Sequence, residues 1–221
     1  GPSGDSRDLR HYVKGARAAQ LTSVQYIDGG SASFLSVMPK DAIRIGDIGC
    51  GHGWISNRVP PFTQVLGVDI DSDITTRISR RALVGQLPDL PLKNNQIDLA
   101  LCTDVIEHLS ENEAVAAGEA FARVSTRYAY LQTPNRERLE DSERHCRHCG
   151  KSWHINFHKA SHNAKSISNL LPEDWYPEVV VYTGECRIVD SSLRDRGGIR
   201  LDASILRSQP FSCVYCGELN D

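Results

Sequence analysis

The sequence predicts one α/β domain built on a mostly parallel β-sheet. Residues 43–47 form a short apolar segment that leads into a loop with glycine at every second position, Gly49, Gly51 and Gly53. Residues 64–69 form a second apolar segment that ends in a carboxylate. Alternating strand and helix segments favour parallel strands joined by right-handed crossovers. A chain of 221 residues, 40% of them hydrophobic, is long enough to bury the core of one such domain.

The predicted elements follow in order along the chain. Residues 8–40 mix apolar and polar positions at helical spacing, with a break at Asp28-Gly29-Gly30, and predict two short helices that form a lid. Strand one covers 43–47, a helix begins at about Trp54, and strand two covers 64–69. The later elements are a helix over 72–81, strands over 82–85 and 97–104, a capped helix over 110–124, a strand over 128–133, a helix over 160–171 and a strand over 178–184.

Composition and charge limit the partners that we expect. The formal net charge is −3 and the pI is near 6.3, with no run of lysine or arginine that would indicate a nucleic-acid surface. No segment approaches 18 apolar residues, and the chain does not open on a secretion signal. We therefore expect a cytoplasmic protein with a small-molecule partner and neither a nucleic acid nor a membrane. Residues 1–7 are expected to be a tag remnant and a disordered start.

The cysteines predict a metal site. Cys146 and Cys149, followed by Gly150, repeat the Cys-x-x-Cys-Gly pattern of Cys213 and Cys216. Two such knuckles supply four thiolates for a tetrahedral zinc ion, and the cytosol disfavours disulfides. A redox dithiol pair is the alternative, with His145, His148 or His154 as substitute ligands. The remaining cysteines are expected to be small buried hydrophobes: Cys50, Cys102 and Cys186.

Separate elements together resemble the class I S-adenosylmethionine (SAM) dependent methyltransferases. They are the acid Asp47 after strand one, the Gly-x-Gly-x-Gly loop, and the acid Asp69 after strand two. The third glycine of a dinucleotide fingerprint would fall at Trp54 instead. Residues 104–109, Asp-Val-Ile-Glu-His-Leu, resemble the segment after strand four in a large group of these enzymes that act on small molecules.

The resemblance covers residues 43–135. It implies a Rossmann-like seven-stranded sheet, mostly parallel, with an antiparallel last strand and helices on both faces. Residues 8–40 would be the lid and 41–221 the methyltransferase domain. An insert at about 136–160, after strand five, carries the first knuckle and departs from a plain family member. If residues 210–216 lie in or beside the last strand, the two knuckles meet at the mouth of the pocket.

The resemblance also implies how SAM would be held. By position, the cofactor residues are Asp47, Gly49, Gly51 and Gly53 for the methionine part, Asp69 for the ribose, Ile70, Gln86 and Leu87 for adenine, and Asp104 beside the methionine amino group. Gln86 stands where the family often has an acid that contacts the adenine amino group. Its amide oxygen would accept the same hydrogen bond.

Three histidines are candidate bases: His108, His154 and His158. Methyl transfer from a sulfonium needs no covalent enzyme intermediate, but an oxygen nucleophile is helped by a base with a pKa near neutrality. All three lie in segments expected at the carboxyl edge of the sheet. On a helix, His154 and His158 would share one face and could pair around a substrate or bind a second metal. Packing roles would explain each of the three equally well.

The leading interpretation is a SAM-dependent methyltransferase that acts on a hydroxyl of a metabolite or natural-product intermediate. A second interpretation is an RNA-end 2′-O-methyltransferase, since Glu107-His108 and the later histidines are similar to the small-RNA enzymes. Asp104 stands where that family has a glutamate, and its Phe-Glu-Trp sequence is absent. A third is a non-catalytic SAM-fold interaction protein with zinc knuckles, against which the intact glycine loop argues. The oligomeric state, monomer or homodimer, is left open.

Overall fold

A computed structural model describes residues 23–27, 30–75, 78–183 and 211–220. The α-helices are α1 Gly30–Val37, α2 Ser72–Thr75, α3 Glu111–Val124 and α4 Ala164–Ser168. Short 3₁₀ helices cover Ser56–Arg58, Ile106–His108 and Leu139–Ser142. The strands are β1 Ser23–Ile27, β2 Arg44–Ile48, β3 Gln64–Asp69, β4 Arg81–Val84, β5 Ile97–Thr103, β6 Ser125–Gln132, β7 Glu143–His145, β8 Ser152–His154, β9 Val179–Thr183, β10 Phe211–Ser212 and β11 Leu219–Asn220.

The central sheet confirms the predicted fold class. Five strands pair in the order β4-β3-β2-β5-β6, and every neighbouring pair is parallel. The chain therefore crosses over after each of these strands, and all five end at the same edge. Ligands of such sheets bind outside the carboxyl ends of the strands, close to where the strand order reverses. In this chain the order reverses at β2, which leads into the glycine loop.

Helices cover both faces of the sheet, and β5 shows why. Leu99 and Leu101 pack on one face in a cluster with Phe34 of α1, whereas Ala100 and Cys102 pack on the other in a cluster with Phe121 of α3. Successive side chains of a strand point to opposite faces, so a strand buried on both sides reads as an uninterrupted apolar run. The prediction that Cys50 and Cys102 are buried is also confirmed. Cys186 lies outside the described residues.

Helix α3 begins where the sequence predicts. The carboxylate of Glu113 accepts hydrogen bonds from the backbone amide of Ser110, at 2.7 Å, and from its hydroxyl, at 2.6 Å. These bonds satisfy a donor that the first turn of a helix leaves without an intrahelical partner. Within the described ranges, no helix combines the length and the hydrophobicity needed to cross a membrane.

Three predictions of local structure are wrong. The helix expected from about Trp54 is only the 3₁₀ turn Ser56–Arg58, because Pro60 and Pro61 follow and remove backbone donors. The described part of the predicted lid contains strand β1 as well as helix α1; its sequence Ser-Val-Gln-Tyr-Ile alternates polar and apolar residues, which suits a strand. The rest of the predicted lid, residues 8–22, 28 and 29, lies outside the described residues, as do residues 1–7.

The third correction concerns the strand predicted over 178–184. It is present as β9, but it pairs in parallel with β1 and forms a separate two-stranded sheet. Of the predicted last strand, the described part β10 pairs antiparallel with β11. Among the described residues, β6 pairs with β5 alone. The two small hairpins β7–β8 and β10–β11 each enclose one cysteine knuckle.

Candidate active site

The glycine loop follows β2 at the carboxyl edge of the sheet. Gly49, Gly51 and Gly53 all have positive φ, at 74°, 50° and 75°. A Cβ at Gly49 would come within 2.3 Å of Val105 Cγ2, whereas a Cβ at Gly51 would meet nothing within 4 Å. The first glycine is therefore required for packing against the loop after β5. The middle glycine opens the backbone towards free space, where a ligand can approach it closely.

Asp69 ties the glycine loop to the end of β3. Its Oδ2 accepts a hydrogen bond from the amide of Gly51 at 2.9 Å, and its Oδ1 accepts one from the amide of Asp71 at 3.0 Å. The side chain is buried. Each carboxylate oxygen has a second lone pair, so Asp69 can accept further bonds from a pair of hydroxyls while it holds the loop.

Asp47 lies beneath the loop with 3% of its surface exposed. Ser56 donates a hydrogen bond from Oγ to Asp47 Oδ2 at 2.5 Å. Burial raises the pKa of Asp47 to about 6, and the bond from Ser56 opposes that shift. A buried carboxylate of this kind is stabilised by a nearby cation. The site thus fits a ligand with a positively charged amino group, and Ser56 was not predicted to take part in it.

The other predicted cofactor residues surround the same edge. Ile70 follows Asp69 and is 69% exposed, so its side chain offers an apolar surface to a flat ring. Gln86 is exposed and Leu87 is half-buried in the loop after β4. Asp104 follows β5 with a φ of 55°, and its amide donates to the carbonyl of Gln132 at 3.0 Å. Partial desolvation raises the pKa of Asp104.

The three predicted histidines lie together, although not on a helix. His154 ends β8, and His158 follows in a turn in which Phe157 has a φ of 59°. The rings of His154 and His158 stack with centroids 4.6 Å apart, and His108 meets His158 edge-on at 4.9 Å. Side-chain N and O atoms of Glu107, His108 and His158 lie within 4.8 Å of one another. The turn, not helical spacing, brings His154 and His158 together.

Two carboxylates that were not among the predicted site residues face these rings. Glu137 Oε1 lies 3.3 Å from His154 Nε2, and Glu137 Oε2 lies 2.5 Å from His158 Nδ1. Glu107 is 2% exposed and accepts a bond from Thr133 Oγ1 at 3.1 Å, and its burial raises its pKa. The only sequence signal for Glu137 is its place five residues after β6, at the active edge.

An open cavity of about 390 Å³ borders the histidines on the side of the insert. Its lining residues are Leu139, Glu140, Glu143, His154 and His158. Glu140 pairs with Arg138 at 3.1 Å. The cavity therefore gives solvent and small molecules a route to the ring of His158.

The four knuckle cysteines come together as predicted. The Sγ atoms of Cys146 and Cys216 lie 3.7 Å apart, as do those of Cys149 and Cys213, and all four lie within 4.8 Å of one another. Four sulfurs at about 2.3 Å from one tetrahedral zinc ion would be separated by about 3.8 Å. The amides of Cys149 and Tyr215 point at sulfurs at 3.4 Å. The donor set therefore fits zinc.

The alternative ligands are engaged elsewhere in the structure. His145 Nδ1 lies 3.1 Å from Ser152 Oγ, and His148 Nε2 lies 3.2 Å from the carbonyl oxygen of Leu219. His154 faces Glu137. Each knuckle also closes on itself through its glycine: the amide of Gly150 donates to the carbonyl of Cys146, at 2.9 Å.

The insert attaches to the loop after β5 through its backbone. The carbonyl of Glu107 accepts hydrogen bonds from the amides of Lys159, at 2.7 Å, and Ala160, at 3.2 Å. Trp153 packs in a buried cluster with Cys146 and Cys213 and meets Tyr215 edge-on at 5.8 Å. Residues 146–160 therefore link the first cysteine knuckle to His154 and His158.

Comparison with known proteins finds matches for the central segment of the chain. Residues 46–128 match the model of a methyltransferase domain. A relative present in two strains of Mycobacterium tuberculosis, described as a probable S-adenosylmethionine-dependent methyltransferase, is 26% identical over 172 residues. The match covers 73% of this chain and 59% of the relative, so the chain spans about three-fifths of its length. An uncharacterized protein from Methanocaldococcus jannaschii is 32% identical over 71 residues, or 31% of each chain.

Solved structures with some similarity are also methyltransferases. A SAM-dependent methyltransferase from Archaeoglobus fulgidus has a TM-score of 0.49 at 17% identity, over 75% of this chain and 71% of that one. One from Mesorhizobium loti has a TM-score of 0.43 at 17% identity, over 57% and 64%. Residues 46–128 therefore match a methyltransferase domain, and the Mycobacterium tuberculosis relative is described as a probable SAM-dependent methyltransferase.

Proposed function

We propose that the chain transfers a methyl group from SAM to a hydroxyl oxygen of a small-molecule acceptor. The observation that carries the proposal is the junction of the glycine loop with Asp69, within the matched segment and at the edge where parallel sheets bind ligands. SAM supplies an electrophilic methyl group on a sulfonium. The protein then has to hold both reactants, exclude competing contacts and accept a proton.

The cofactor residues divide by what each can recognise. Asp69 has lone pairs left for the two ribose hydroxyls, and Ile70 offers apolar contact to adenine. Gln86 and Leu87 would bind the edge of the adenine ring. Asp47 and Asp104 supply negative charge for the methionine amino group, and the open backbone at Gly51 allows close approach. Each role is a proposal that the binding experiment below tests.

A proton acceptor is needed on the acceptor side of the site. A hydroxyl loses its proton as the carbon–oxygen bond forms, and histidine is the side chain best suited to take it near neutral pH. His158 borders the open cavity and also approaches Glu107 and His108 at the carboxyl edge. We therefore assign the acceptor to the cavity side of His158.

The four-cysteine site would hold a structural zinc ion. All four positions are filled by thiolates, so no coordination position is left for a substrate or water, as in other closed structural sites. Zinc there would join the hairpins β7–β8 and β10–β11, whose facing cysteines are 64 and 70 residues apart in sequence. Its role is to support the insert.

Calorimetry with SAM tests the cofactor site. We expect wild-type protein to bind SAM with a 1:1 stoichiometry and Asp69→Ala to lose binding by at least about 100-fold, because the variant removes both the ribose partner and the anchor of the loop. Asp71→Ala is the matched control, since Asp71 is exposed in the same loop. Wild-type protein that fails to bind SAM would overturn the proposal and leave the non-catalytic alternative.

Transfer of a labelled methyl group tests the acceptor class. Pools of small hydroxyl compounds, small amines and short RNA ends would be incubated with the enzyme and labelled SAM. Label in the hydroxyl pool supports the proposal. Label in the amine pool alone, or in the 2′-hydroxyl of RNA alone, would replace it with the corresponding acceptor.

A further inference from the structure

Backbone amides around His154 and the carboxylate of Glu137 beside His158 determine which nitrogen of each ring carries a proton. Nδ1 of His154 accepts two backbone hydrogen bonds, from the amides of Asn156 at 3.2 Å and His158 at 3.3 Å. A nitrogen that accepts from N–H donors has no proton of its own. The neutral ring of His154 must therefore carry its proton on Nε2, which lies 3.3 Å from Glu137 Oε1.

The same carboxylate sets the opposite arrangement in His158. Nδ1 of this ring lies 2.5 Å from Glu137 Oε2, and an ionised carboxylate can only accept. Nδ1 of His158 therefore carries the proton, and the lone pair of the neutral ring is on Nε2. A histidine whose Nδ1–H is bound by a carboxylate is held in one orientation, and its second nitrogen becomes a better proton acceptor.

The opposite arrangements give the two histidines different capacities. His154 is buried, its Nδ1 is occupied by two amides, and burial lowers its pKa. It cannot take a further proton without breaking these bonds. Ligand atoms of Glu137, His154 and His158 lie within 4.8 Å of one another, so the second metal site considered for the two histidines stays a prediction. His158 borders the open cavity and keeps one nitrogen lone pair.

We propose that Glu137 is a positioning residue: it fixes the tautomer of His158 so that His158 Nε2 is the proton acceptor, while two backbone amides hold His154 in the opposite tautomer as a support. The inference rests on the proposed function for the use of that acceptor, but the tautomers themselves do not depend on it. The groups that face His158 are the carboxylates of Asp104, Glu107 and Glu137 and the rings of His108 and His154.

The cysteine site supports this arrangement through one hairpin. His154 is the last residue of β8 and pairs with Glu143 across β7, and the first knuckle closes the same hairpin. Trp153, the residue before His154, packs against Cys146 and Cys213. Loss of the metal would release the hairpin and, with it, the contact between Glu137 and the two rings. The cofactor residues Asp47 and Asp69 are on other strands and would keep their geometry.

Nitrogen-15 NMR of the histidine rings in the full chain tests the inference directly. We expect wild-type His158 to show a protonated Nδ1 and an unprotonated Nε2, and His154 the reverse. In Glu137→Ala the ring of His158 should shift towards a mixture of tautomers, whereas His154 should keep its own because two amides still donate to its Nδ1. Glu140→Ala is the matched control, because Glu140 lines the same cavity. A wild-type His158 protonated on Nε2, or a His158 tautomer unchanged in Glu137→Ala, would overturn the proposal.

A second variant keeps the test decisive if Glu137→Ala fails to fold. Glu137→Gln retains one acceptor oxygen, which can serve His158 Nδ1–H. We expect His158 to keep its tautomer and His154, held by two amides, to keep the opposite one. A His158 protonated on Nε2 in Glu137→Gln would contradict the assignment. SAM calorimetry on the same samples separates the two claims: fixed tautomers without SAM binding would refute only the proposed function.

Discussion

The glycine loop and the cysteine insert would hold their proposed ligands by different means. In the loop, backbone amides and conformation would make most of the contacts, and the anchoring bond joins Gly51, in the loop after β2, to Asp69, 18 residues later at the end of β3. In the insert, side chains do the work, and the sulfur pairs come from positions 64 and 70 residues apart. A site made of backbone depends on φ angles and close packing, whereas a site made of side chains depends on a few donor atoms.

The difference teaches where each site is vulnerable. Strands β2 and β3 position the loop even without a ligand, because the sheet buries both of its faces. Of the insert, only one small cluster is buried around the cysteines, formed by Cys146, Trp153 and Cys213 among the described residues. We therefore predict that such a segment gains much of its stability from a bound metal ion. Four predictions test the contrast.

Removal of one thiolate should have the largest effect. We expect Cys149→Ser to reduce bound zinc from about one ion per chain to a small fraction, because structural zinc contributes roughly 10 kcal/mol or more to folding of such modules. Limited proteolysis should then cleave the insert, while the SAM affinity stays within about twofold. His148→Ala is the control and should retain zinc. Loss of SAM binding together with zinc would show that the two regions are not separable.

Substitution of Gly49 should be the next largest effect. An alanine at position 49 would have a φ of 74°, and its Cβ would lie 2.3 Å from Val105 Cγ2. Strain and overlap together should lower the free energy of unfolding by about 2 to 5 kcal/mol. Gly51→Ala adds strain without a clash, about 1 kcal/mol, and should fold but bind SAM more weakly. Urea unfolding and calorimetry measure both. Equal stability of the two variants would contradict the distinct roles of these glycines.

Asp47 should make stability depend on pH. Its pKa is raised from 3.8 to about 6 in the folded protein, so folding favours the protonated form and SAM-free stability falls as pH rises between these values. The unfavourable contribution is absent below about pH 4 and reaches about 2 to 3 kcal/mol above pH 6. Asp47→Asn should remove this slope, raise stability at pH 8 and weaken SAM binding. Asp71→Asn is the control in urea unfolding at both pH values; an unchanged slope in Asp47→Asn would refute the assignment.

Loss of the ion pair between the insert and helix α3 should have the smallest effect. Lys159 Nζ lies 3.8 Å from Glu113 Oε2, and both side chains are exposed. Lys159→Ala should change the free energy of unfolding by less than about 0.5 kcal/mol. Glu113→Ala should be more destabilising than Lys159→Ala, because it also removes the capping box of α3. If Lys159→Ala lowers the unfolding temperature more than Glu113→Ala does, the insert is attached to the domain by charge rather than by its backbone bonds to Glu107.

Much of the structure around the glycine loop could be predicted, because the sequence patterns that indicate it are local. The Gly-x-Gly-x-Gly spacing, the acids at the ends of β2 and β3, and the apolar run of β5 each fit within a few residues. The pairing of β9 with β1 could not be predicted. Several apolar segments can add to a parallel sheet, and the choice among them depends on packing between distant parts of the chain.

By itself, the sequence determined the fold class, the order of the sheet strands along the chain and the grouping of the four knuckle cysteines. Hydrophobic periodicity, glycine positions and metal-ligand spacing are local properties of the sequence. Only the tertiary structure decided what the histidines can do. Spacing suggested that His154 and His158 are equivalent on a helix, whereas a turn and the carboxylate of Glu137 give them opposite arrangements. A tautomer depends on which donor or acceptor faces each nitrogen. Those partners are amides two and four residues from His154, in a turn that the sequence did not predict, and a carboxylate 21 residues from His158.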